Sequence, residues 1–412
     1  MAKDEGLVAI RLPVWWTFGG LVAGLVAGSL IAGSAVEGTV LAVSAPVGSL
    51  WLRALQMTII PLVAALLVMG IAQMVRAARA GQAARRMLGW VFGVLVFSGL
   101  VSAVFMPLLL SAFPIPDAAS AMLALNGGEE QVVPGIADFV ASLIAPNVIA
   151  AAAETAMLPL TIFFALFAVA AARLPDSQRD TLLAVFHALG NAMLTIIGWV
   201  LWLAPVGVFA LALGVAVRAG GEGTFATLIH YILTVSAMGG IILIAAYVLA
   251  LVVGRIGLPR FARAMLPAQA VAVSTQSSLA SLPAMLDSAR RLKLREETAD
   301  FVLPLAVAIF RATSPAMNMA VAIYVATLAG MELSPAVLAA GIGVALIISV
   351  GSVSLPGSIS FVISIGPIAL AMGVPVEPLA LLVAVEMLPD IMRTLANVTM
   401  NVAVAAATDR ED

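Results

Sequence analysis

Long apolar stretches dominate the sequence, and many reach the length of a membrane-spanning helix. A helical span needs about 20 apolar residues. The candidate spans are residues 14–35, 40–75, 87–113, 136–172, 182–217, 224–254, 297–329 and 376–408. Pro146, Pro159 and Pro205 predict kinks or breaks in the fourth and fifth of them. The pattern therefore predicts an all-α integral membrane protein with eight transmembrane helices.

Two further apolar stretches, residues 258–289 and 333–373, are interrupted halfway by small polar residues. The interruptions are residues 274–278 (STQSS) and 351–358 (GSVSLPGS). Each stretch predicts a re-entrant helical hairpin whose tip stays inside protein, because a tip exposed to lipid would leave backbone groups unpaired. Paired broken elements of opposite orientation indicate a transporter built on inverted repeats, with its site near the membrane midplane.

Basic residues are concentrated in alternate loops. Lys and Arg follow the second, fourth and sixth spans and the first hairpin, whereas residues 114–135 carry Asp117, Glu129 and Glu130 and no basic residue. By the positive-inside rule, both termini are cytoplasmic in a multi-pass protein of the plasma (inner) membrane. The first hairpin then enters from the cytoplasm and the second from outside.

Composition narrows the function classes. Of the 412 residues, 63% are hydrophobic and 10% are charged, against roughly 25% charged in soluble domains, which excludes a water-soluble fold. The chain has no Cys and two His, so we expect no metal centre and no cofactor. No nucleophile or phosphate-binding loop stands out, which disfavours an enzyme. The partners we expect are the lipid bilayer and a small-molecule substrate, not nucleic acid.

Three basic residues, Arg53, Arg311 and Arg393, lie within predicted spans. A charge in the bilayer centre costs at least about 2.5–3.5 kcal/mol on insertion scales, so each needs a partner or a function. For Arg53 we favour a scaffold position near the lipid interface or a subunit contact.

The last span carries a polar stripe. The stripe consists of Glu386, Asp390, Arg393, Thr394, Asn397 and Asn401. Each is one, three or four residues from the next, so all of them share one helical face. One interpretation is a structural ion pair that holds helices together. The other is a site for a zwitterion, in which the guanidinium binds a carboxylate through two hydrogen bonds and the Asp accepts from an ammonium group.

The segment DIMRTLANVT at residues 390–399 resembles the last-helix motif of the glutamate transporter family, the dicarboxylate and amino acid:cation symporters. Five more segments resemble this family in the same order along the chain. They are 53–62 (RALQMTIIPL), 157–165 (MLPLTIFFA), 202–211 (WLAPVGVFAL), 276–283 (QSSLASLP) and 355–357 (LPG). The resemblance therefore covers nearly the whole chain.

The resemblance implies a homotrimeric elevator-type transporter. Residues 1–80 and 131–220 would form a static scaffold, and residues 81–130 and 221–412 a transport domain that carries the substrate across. It assigns the substrate pocket to Arg393, Asp390, Thr394, Asn397, Ser277, Ser278, Ser314, Pro356 and Gly357. In that assignment Arg393 binds the side-chain carboxylate, Asp390 the amino group, the two hairpin serines the main-chain carboxylate, and the Pro-Gly tip is the gate.

The pair of Asp390 and Arg393 favours aspartate or glutamate as substrate. The family's dicarboxylate branch lacks the acid, and its neutral amino acid branch lacks the basic residue. An apolar cavity that holds both groups also suits a ligand with two carboxylates and one ammonium. Two alternatives stay open: another dicarboxylate or cystine carried on the same fold, and a channel or non-transporting ligand sensor.

The chain departs from the family at its sodium sites. The Asn-Met-Asp-Gly-Thr motif of sodium-coupled members falls on residues 310–314 (FRATS) without gaps, or on 318–322 (NMAVA) with a gap, and its acid becomes Ala in both registers. A second family acid corresponds to Asn401. Hard cations need several oxygen ligands, usually including carboxylate, so we predict transport that is independent of sodium and either proton-coupled or uncoupled.

Four residues are candidates for replacing the ions or coupling transport: Arg311, Glu386, Asn401 and Gln276. In the ungapped register the fixed charge of Arg311 occupies the sodium-site region, although snorkelling or pairing with a structural acid would also explain it. Glu386 is the candidate proton carrier, with a permanent hydrogen-bond role behind Arg393 as the alternative.

Overall fold

The computed structural model describes residues 14–78, 81–116, 144–219, 221–351 and 357–409, and these are helical with no strand among them. A π-helical turn, Ser314–Asn318, lies between α12 and α13. The helices are α1 (Val14–Ile31), α2 (Glu37–Gln56), α3 (Ile59–Ala78), α4 (Gln82–Ala112), α5 (Val148–Ala153), α6 (Met157–Ala171), α7 (Asp176–Trp202), α8 (Ala204–Ala219), α9 (Gly221–Val252), α10 (Leu258–Thr275), α11 (Leu282–Leu292), α12 (Glu296–Ile309), α13 (Met319–Leu328), α14 (Pro335–Gly351), α15 (Gly357–Ala371), α16 (Glu377–Leu382) and α17 (Met387–Thr408).

Several of these helices have the composition of membrane spans. Five stretches in the described residues are long and apolar enough to cross a bilayer: Glu37–Arg76, Gln82–Ala112, Asp176–Trp202, Ala226–Val252 and Glu296–Leu328. Four shorter apolar helices accompany them: Trp16–Ile31, Met157–Ala171, Ala204–Val217 and Pro335–Val350. The all-α, multi-pass architecture is thus supported, while the count of eight spans stays a prediction.

The last predicted span differs from a simple apolar helix. It is divided, because α16 ends at Leu382 and α17 begins only at Met387. Because of its polar stripe, α17 is not among the helices that are apolar enough to cross a bilayer. Nearly the whole length of α17 is buried by protein. A helix that carries charges avoids lipid in this way, at the cost of needing other helices on all sides.

The predicted breaks near proline are present. α7 ends at Trp202 and α8 begins at Ala204, next to Pro205. α5 and α6 are likewise separated, with Pro159 in the first turn of α6. Proline fits the first turn of a helix, where its missing N–H has no partner to lose.

Both interrupted apolar stretches form pairs of contacting helices. α10 packs against α11, and the chain turns between them over residues 276–281, starting at Gln276 with a left-handed φ of 50°. α14 packs against α15, and the segment between them, residues 352–356, lies outside the described part of the chain. The helices of each predicted hairpin therefore pack as a pair, and their re-entry into a membrane stays a prediction.

Two packing groups organise the helices. α1 and α2 pack on α8, and α3 packs on α6 and α7. A second core joins α9, α10, α11 and α12 with α4 and α17. α17 makes its most extensive contacts with α9. α14 connects the groups, because it packs on α3 and α6 of the first group and on α4 of the second.

A stripe of glycines explains how closely α1 approaches α8. Gly20, Gly24 and Gly28 recur every four residues, which is the small-residue spacing that lets membrane helices pack backbone against backbone. A Cβ atom placed on them would lie 2.4 Å from the Pro205 carbonyl oxygen, 2.5 Å from that of Phe209 and 2.6 Å from that of Leu213, respectively. The contact therefore leaves no room for a side chain.

We predict that Gly24→Ala destabilises the protein, because the added methyl group must push α1 away from α8. Overpacking of this kind typically costs about 1–3 kcal/mol. The melting temperature of the detergent-purified protein should fall. Gly19→Ala is the matched control, since a Cβ at Gly19 would meet nothing within 4 Å. Equal melting temperatures for the two variants would contradict this account.

Candidate functional site

The site begins with a break between α12 and α13. α12 ends at Ile309, Phe310 is extended with φ of −120° and ψ of 124°, and the chain regains helical form only at the π turn. Side chains from two other helices bind the backbone groups freed by the break. Ser98 of α4 donates to the Ala312 carbonyl at 2.6 Å and accepts from the Ala316 N–H at 3.0 Å. These bonds satisfy polar groups that could not be left unpaired in an apolar interior.

Asn397 of α17 holds the same break from the other side. Its Oδ1 accepts from the N–H of Thr313 at 2.9 Å and from the hydroxyl of Thr313 at 3.0 Å. Both residues are buried. The break is thus fixed between α4 and α17 by the protein's own hydrogen bonds.

Arg393 lies at the centre of a buried charged cluster. Its Nη2 forms an ion pair with Glu386, and its Nε lies 3.4 Å from Oδ1 of Asp390. Its Nη1 donates to Oδ1 of Asn318. The hydroxyl of Tyr231, on α9, donates to the second oxygen of Glu386 at 3.2 Å. The guanidinium therefore has a partner on each of its three nitrogens.

Arg311 brings a second positive charge to the cluster. It is half-buried in the break and lies within electrostatic range of Asp390 and Arg393. Two arginines and two acids make the cluster neutral when all four are ionised. Desolvation of buried ion pairs is costly, and removing one partner leaves an uncompensated charge that destabilises a protein by about 3–5 kcal/mol.

The remaining predicted residues of α17 and the π turn are buried beside this cluster. Ser314 connects to it through Asn318, whose Nδ2 donates to the serine Oγ at 2.9 Å. Thr394 is 5% exposed. Asn401 is buried farther along α17, and within the described residues neither atom of its amide has a hydrogen-bond partner.

Within the part of the chain that the structure describes, Gln276, Ser277 and Ser278 are not hydrogen-bonded to the cluster. Ser277 is half-buried and Ser278 is buried. The Ser277 hydroxyl accepts from the Ala280 N–H at 3.2 Å, a bond within the tip. Gln276 is half-buried in its left-handed turn. Gly357 begins α15, and Pro356 lies outside the described residues.

Sequence reasoning missed four residues of the site: Ser98, Tyr231, Thr313 and Asn318. Asn318 could have been found, because an amide in an apolar span needs a partner or a function, as a charge does. Tyr231 and Ser98 gave no such signal, since hydroxyl residues are ordinary in membrane helices and their partners are 155 and 214 residues away in sequence.

The chain is apolar and all-helical in its described part, and it surrounds a polar cluster at a helix break, which is the construction of a membrane transporter. Residues 14–411 match the sodium:dicarboxylate symporter family, and the chain belongs to it.

Individual relatives are distant but align along most of their length. The chain is 26% identical to a proton/sodium-glutamate symport protein of Bacillus subtilis (strain 168), over 95% of this chain and 91% of that protein. It is 27% identical to a proton/glutamate-aspartate symporter of Escherichia coli (strain K12), over 86% and 82%. It is 25% identical to a C4-dicarboxylate transport protein of Laribacter hongkongensis (strain HLHK9), over 86% and 81%.

We predict that Arg393→Gln lowers the melting temperature markedly, because Glu386 and Asp390 are left with a single positive charge. The double variant Glu386→Gln/Arg393→Gln should recover much of the loss, since one buried charge of each sign is then removed. Thermal unfolding of the purified variants measures both effects. Arg53→Gln is the control, because Arg53 is an exposed arginine of α2 and its removal should change little. A double variant no more stable than Arg393→Gln would refute the assigned pairing.

Proposed function

We propose that this protein is a secondary transporter of aspartate or glutamate that works without sodium, in symport with protons or as an uncoupled carrier. The observation that carries the proposal is the buried cluster of Arg393, Asp390 and Glu386. A guanidinium beside a carboxylate, inside an apolar helix bundle, provides groups of both signs for a substrate with two carboxylates and one ammonium. Two of its relatives are named as glutamate symporters, which agrees with this substrate class.

Substrate binding requires Arg393 to exchange partners. In the structure Glu386 occupies one arm of the guanidinium, so the substrate carboxylate competes with Glu386 for it. A proton on Glu386 weakens that ion pair and frees the arm. Counting Arg311 and Arg393 as +2 and the two acids as −2, the empty cluster is neutral and a bound acidic amino acid brings it to −1. One proton on Glu386 restores neutrality, which couples substrate to proton.

Three features support sodium independence. Ala312 and Asn401 stand where sodium-coupled members of the family have acids, in the register that places the motif on the observed helix break. Ser98 and Asn397 bind backbone groups of that break directly. Arg311 adds a permanent positive charge nearby. Protein groups thus take the place that ions would otherwise hold.

We further propose the family's elevator mechanism and homotrimer for this chain, with spans one, two, four and five as scaffold and both hairpins re-entrant. The packing of α1 and α2 on α8, and of α3 on α6 and α7, supports a scaffold of these helices, while α17 packs mainly on α9 and α10. Exposed apolar side chains on α7, among them Trp199 and Trp202, suit a surface that faces lipid or a neighbouring subunit. Ser277, Ser278 and the Pro356–Gly357 tip would reach the substrate when the hairpins close on it.

A second candidate is a carrier of another dicarboxylate or of cystine on the same fold. The similarity to a C4-dicarboxylate transport protein favours it. Competition of labelled aspartate uptake by succinate and by cystine separates these substrates. Saturable counterflow in liposomes excludes a channel or a ligand sensor that does not transport.

We expect aspartate binding and uptake to be insensitive to sodium. Proteoliposomes given a sodium, proton or potassium gradient one at a time identify the driving ion, and calorimetry in choline and in sodium buffer measures the affinity. Arg311→Met should weaken aspartate binding by removing a positive charge, yet create no sodium dependence. A gain of about tenfold, or 1.4 kcal/mol, in wild-type affinity on adding sodium would contradict the proposal.

Glu386→Gln should abolish accumulation of aspartate driven by a proton gradient while exchange of internal for external aspartate continues, because the amide cannot carry a proton across. Glu377→Gln is the control, since this glutamate begins α16 outside the cluster. If the Glu386→Gln variant accumulates aspartate as well as the wild type does, another group carries the proton. If the wild type itself does not respond to the proton gradient, transport is uncoupled.

A further inference from the structure

Basic residues are concentrated at one end of helices α9, α10 and α11. Residues 255–295 contain seven basic residues and one acid, and all seven basic residues are exposed. Two of them are neutralised, because Arg291 pairs with Asp287 at 2.7 Å and Arg295 pairs with Asp409 at 2.8 Å. The other five form what we call the basic surface: Arg255, Arg260, Arg263, Arg290 and Lys293.

The members of the basic surface come from three elements that meet at one place. Arg255 follows α9, two arginines lie in the first two turns of α10, and the other two residues lie at the end of α11. Nη2 of Arg260 donates to the Leu292 carbonyl at 2.7 Å, which joins the start of α10 to the end of α11. Among the described residues, no acid forms an ion pair with any of the five. The surface therefore carries positive charge that the chain does not neutralise by contact.

The basic surface lies where the protein leaves the apolar part of a bilayer. The stretch Ala226–Val252 is long and apolar enough to cross a membrane, and Arg255 comes three residues after its end. Apolar side chains beside the surface are exposed, among them Val252 at 64% and Leu266 at 63%. Arg263 shares the exposed face of α10 with Leu266, three residues further along. At such a boundary basic side chains reach the headgroups while their apolar neighbours contact acyl chains.

Two members of the basic surface hold a backbone conformation that favours glycine. Arg255 has a φ of 48° and Lys293 a φ of 62°, both in the left-handed region. Lys293 ends α11, and the next N–H, that of Leu294, donates back to the Ala289 carbonyl at 3.1 Å. Glycine is the usual residue at such a helix end, because it has no Cβ atom. A cation also suits a helix C-terminus, so both positions combine a conformation that favours glycine with a retained charge.

We propose that the basic surface binds the headgroups of anionic phospholipids. The headgroup phosphate accepts hydrogen bonds from the guanidinium groups, and the acyl chains lie along the exposed apolar side chains beside them. An acidic protein segment would match the charge of the surface but not these apolar neighbours. The loop charges predict that this end faces the cytoplasm, where the membrane leaflet is anionic. Binding of this kind does not depend on which substrate is transported, so it stands apart from the proposed function.

The test uses the full chain, purified in a neutral detergent, and follows the binding of dye-labelled phosphatidylglycerol by fluorescence anisotropy. Unlabelled phosphatidylglycerol should displace the probe, whereas phosphatidylcholine, which has no net charge, should not. Arg263→Gln/Arg290→Gln should weaken probe binding roughly tenfold or more, because each basic residue near an anionic surface contributes to the attraction. Added salt should weaken binding to the wild type, since it screens exposed charges.

Arg255→Gly/Lys293→Gly is an independent variant that removes charge where glycine fits the backbone. Its melting temperature should stay close to that of the wild type, because the better backbone fit offsets the loss of a cation at the helix end. Its affinity for the probe should fall as in the glutamine variant. Arg76→Gln/Arg173→Gln is the matched control, since it removes two exposed basic residues at the ends of α3 and α6. The control should bind the probe as the wild type does.

Wild-type affinity in both variants would overturn the proposal. An equal loss in the control would also overturn it, because net charge alone would then explain the binding. Equal displacement by phosphatidylcholine would show that acyl chains bind without the headgroup. Tighter binding of glycerol 3-phosphate or of a polyglutamate peptide than of phosphatidylglycerol would assign the surface to a soluble anion instead. If the glycine variant melts at a lower temperature, the two residues stabilise their turns and the glutamine variant decides.

Discussion

The buried guanidinium of Arg393 is the constraint on which the rest of the structure depends. A charge of this kind is tolerated inside a membrane protein only where protein supplies partners and excludes lipid. Glu386, Asp390 and Asn318 are those partners, and α17 is buried along nearly its whole length to keep them dry. The arrangement of α9, α10 and α4 around α17 follows from this requirement.

The helix break beside the cluster presents the same problem for the backbone. A break in an apolar interior exposes N–H and C=O groups that water cannot reach. Ser98 from α4 and Asn397 from α17 bind those groups. Both the donors and the acceptors of these bonds are covalent parts of the chain, which agrees with the proposed independence from sodium.

Sequence reasoning reached the features that local pattern determines. The spacing of the polar residues on α17 identified a buried face, and small-residue tracts located the turn between α10 and α11. It could not supply partners that are distant in sequence. The bond from Tyr231 to Glu386 and the ring contact of Tyr231 with Tyr324 arise only when α9 packs against α17 and α13. Likewise, spacing left open whether Arg393 forms a structural ion pair or binds substrate, and in the folded cluster it is engaged by Glu386, Asp390 and Asn318.

That engagement has a consequence for transport. A carrier that crosses an apolar barrier moves most easily when its cargo region is neutral, since net charge in low dielectric is expensive. The cluster of two arginines and two acids is neutral when empty, and it is neutral again with an acidic amino acid and one proton. With substrate alone it carries −1, and Glu386 still competes for Arg393. Under the proposed function, charge balance and partner exchange therefore disfavour the same half-loaded state, so that the one carboxylate of Glu386 would tie substrate movement to a proton.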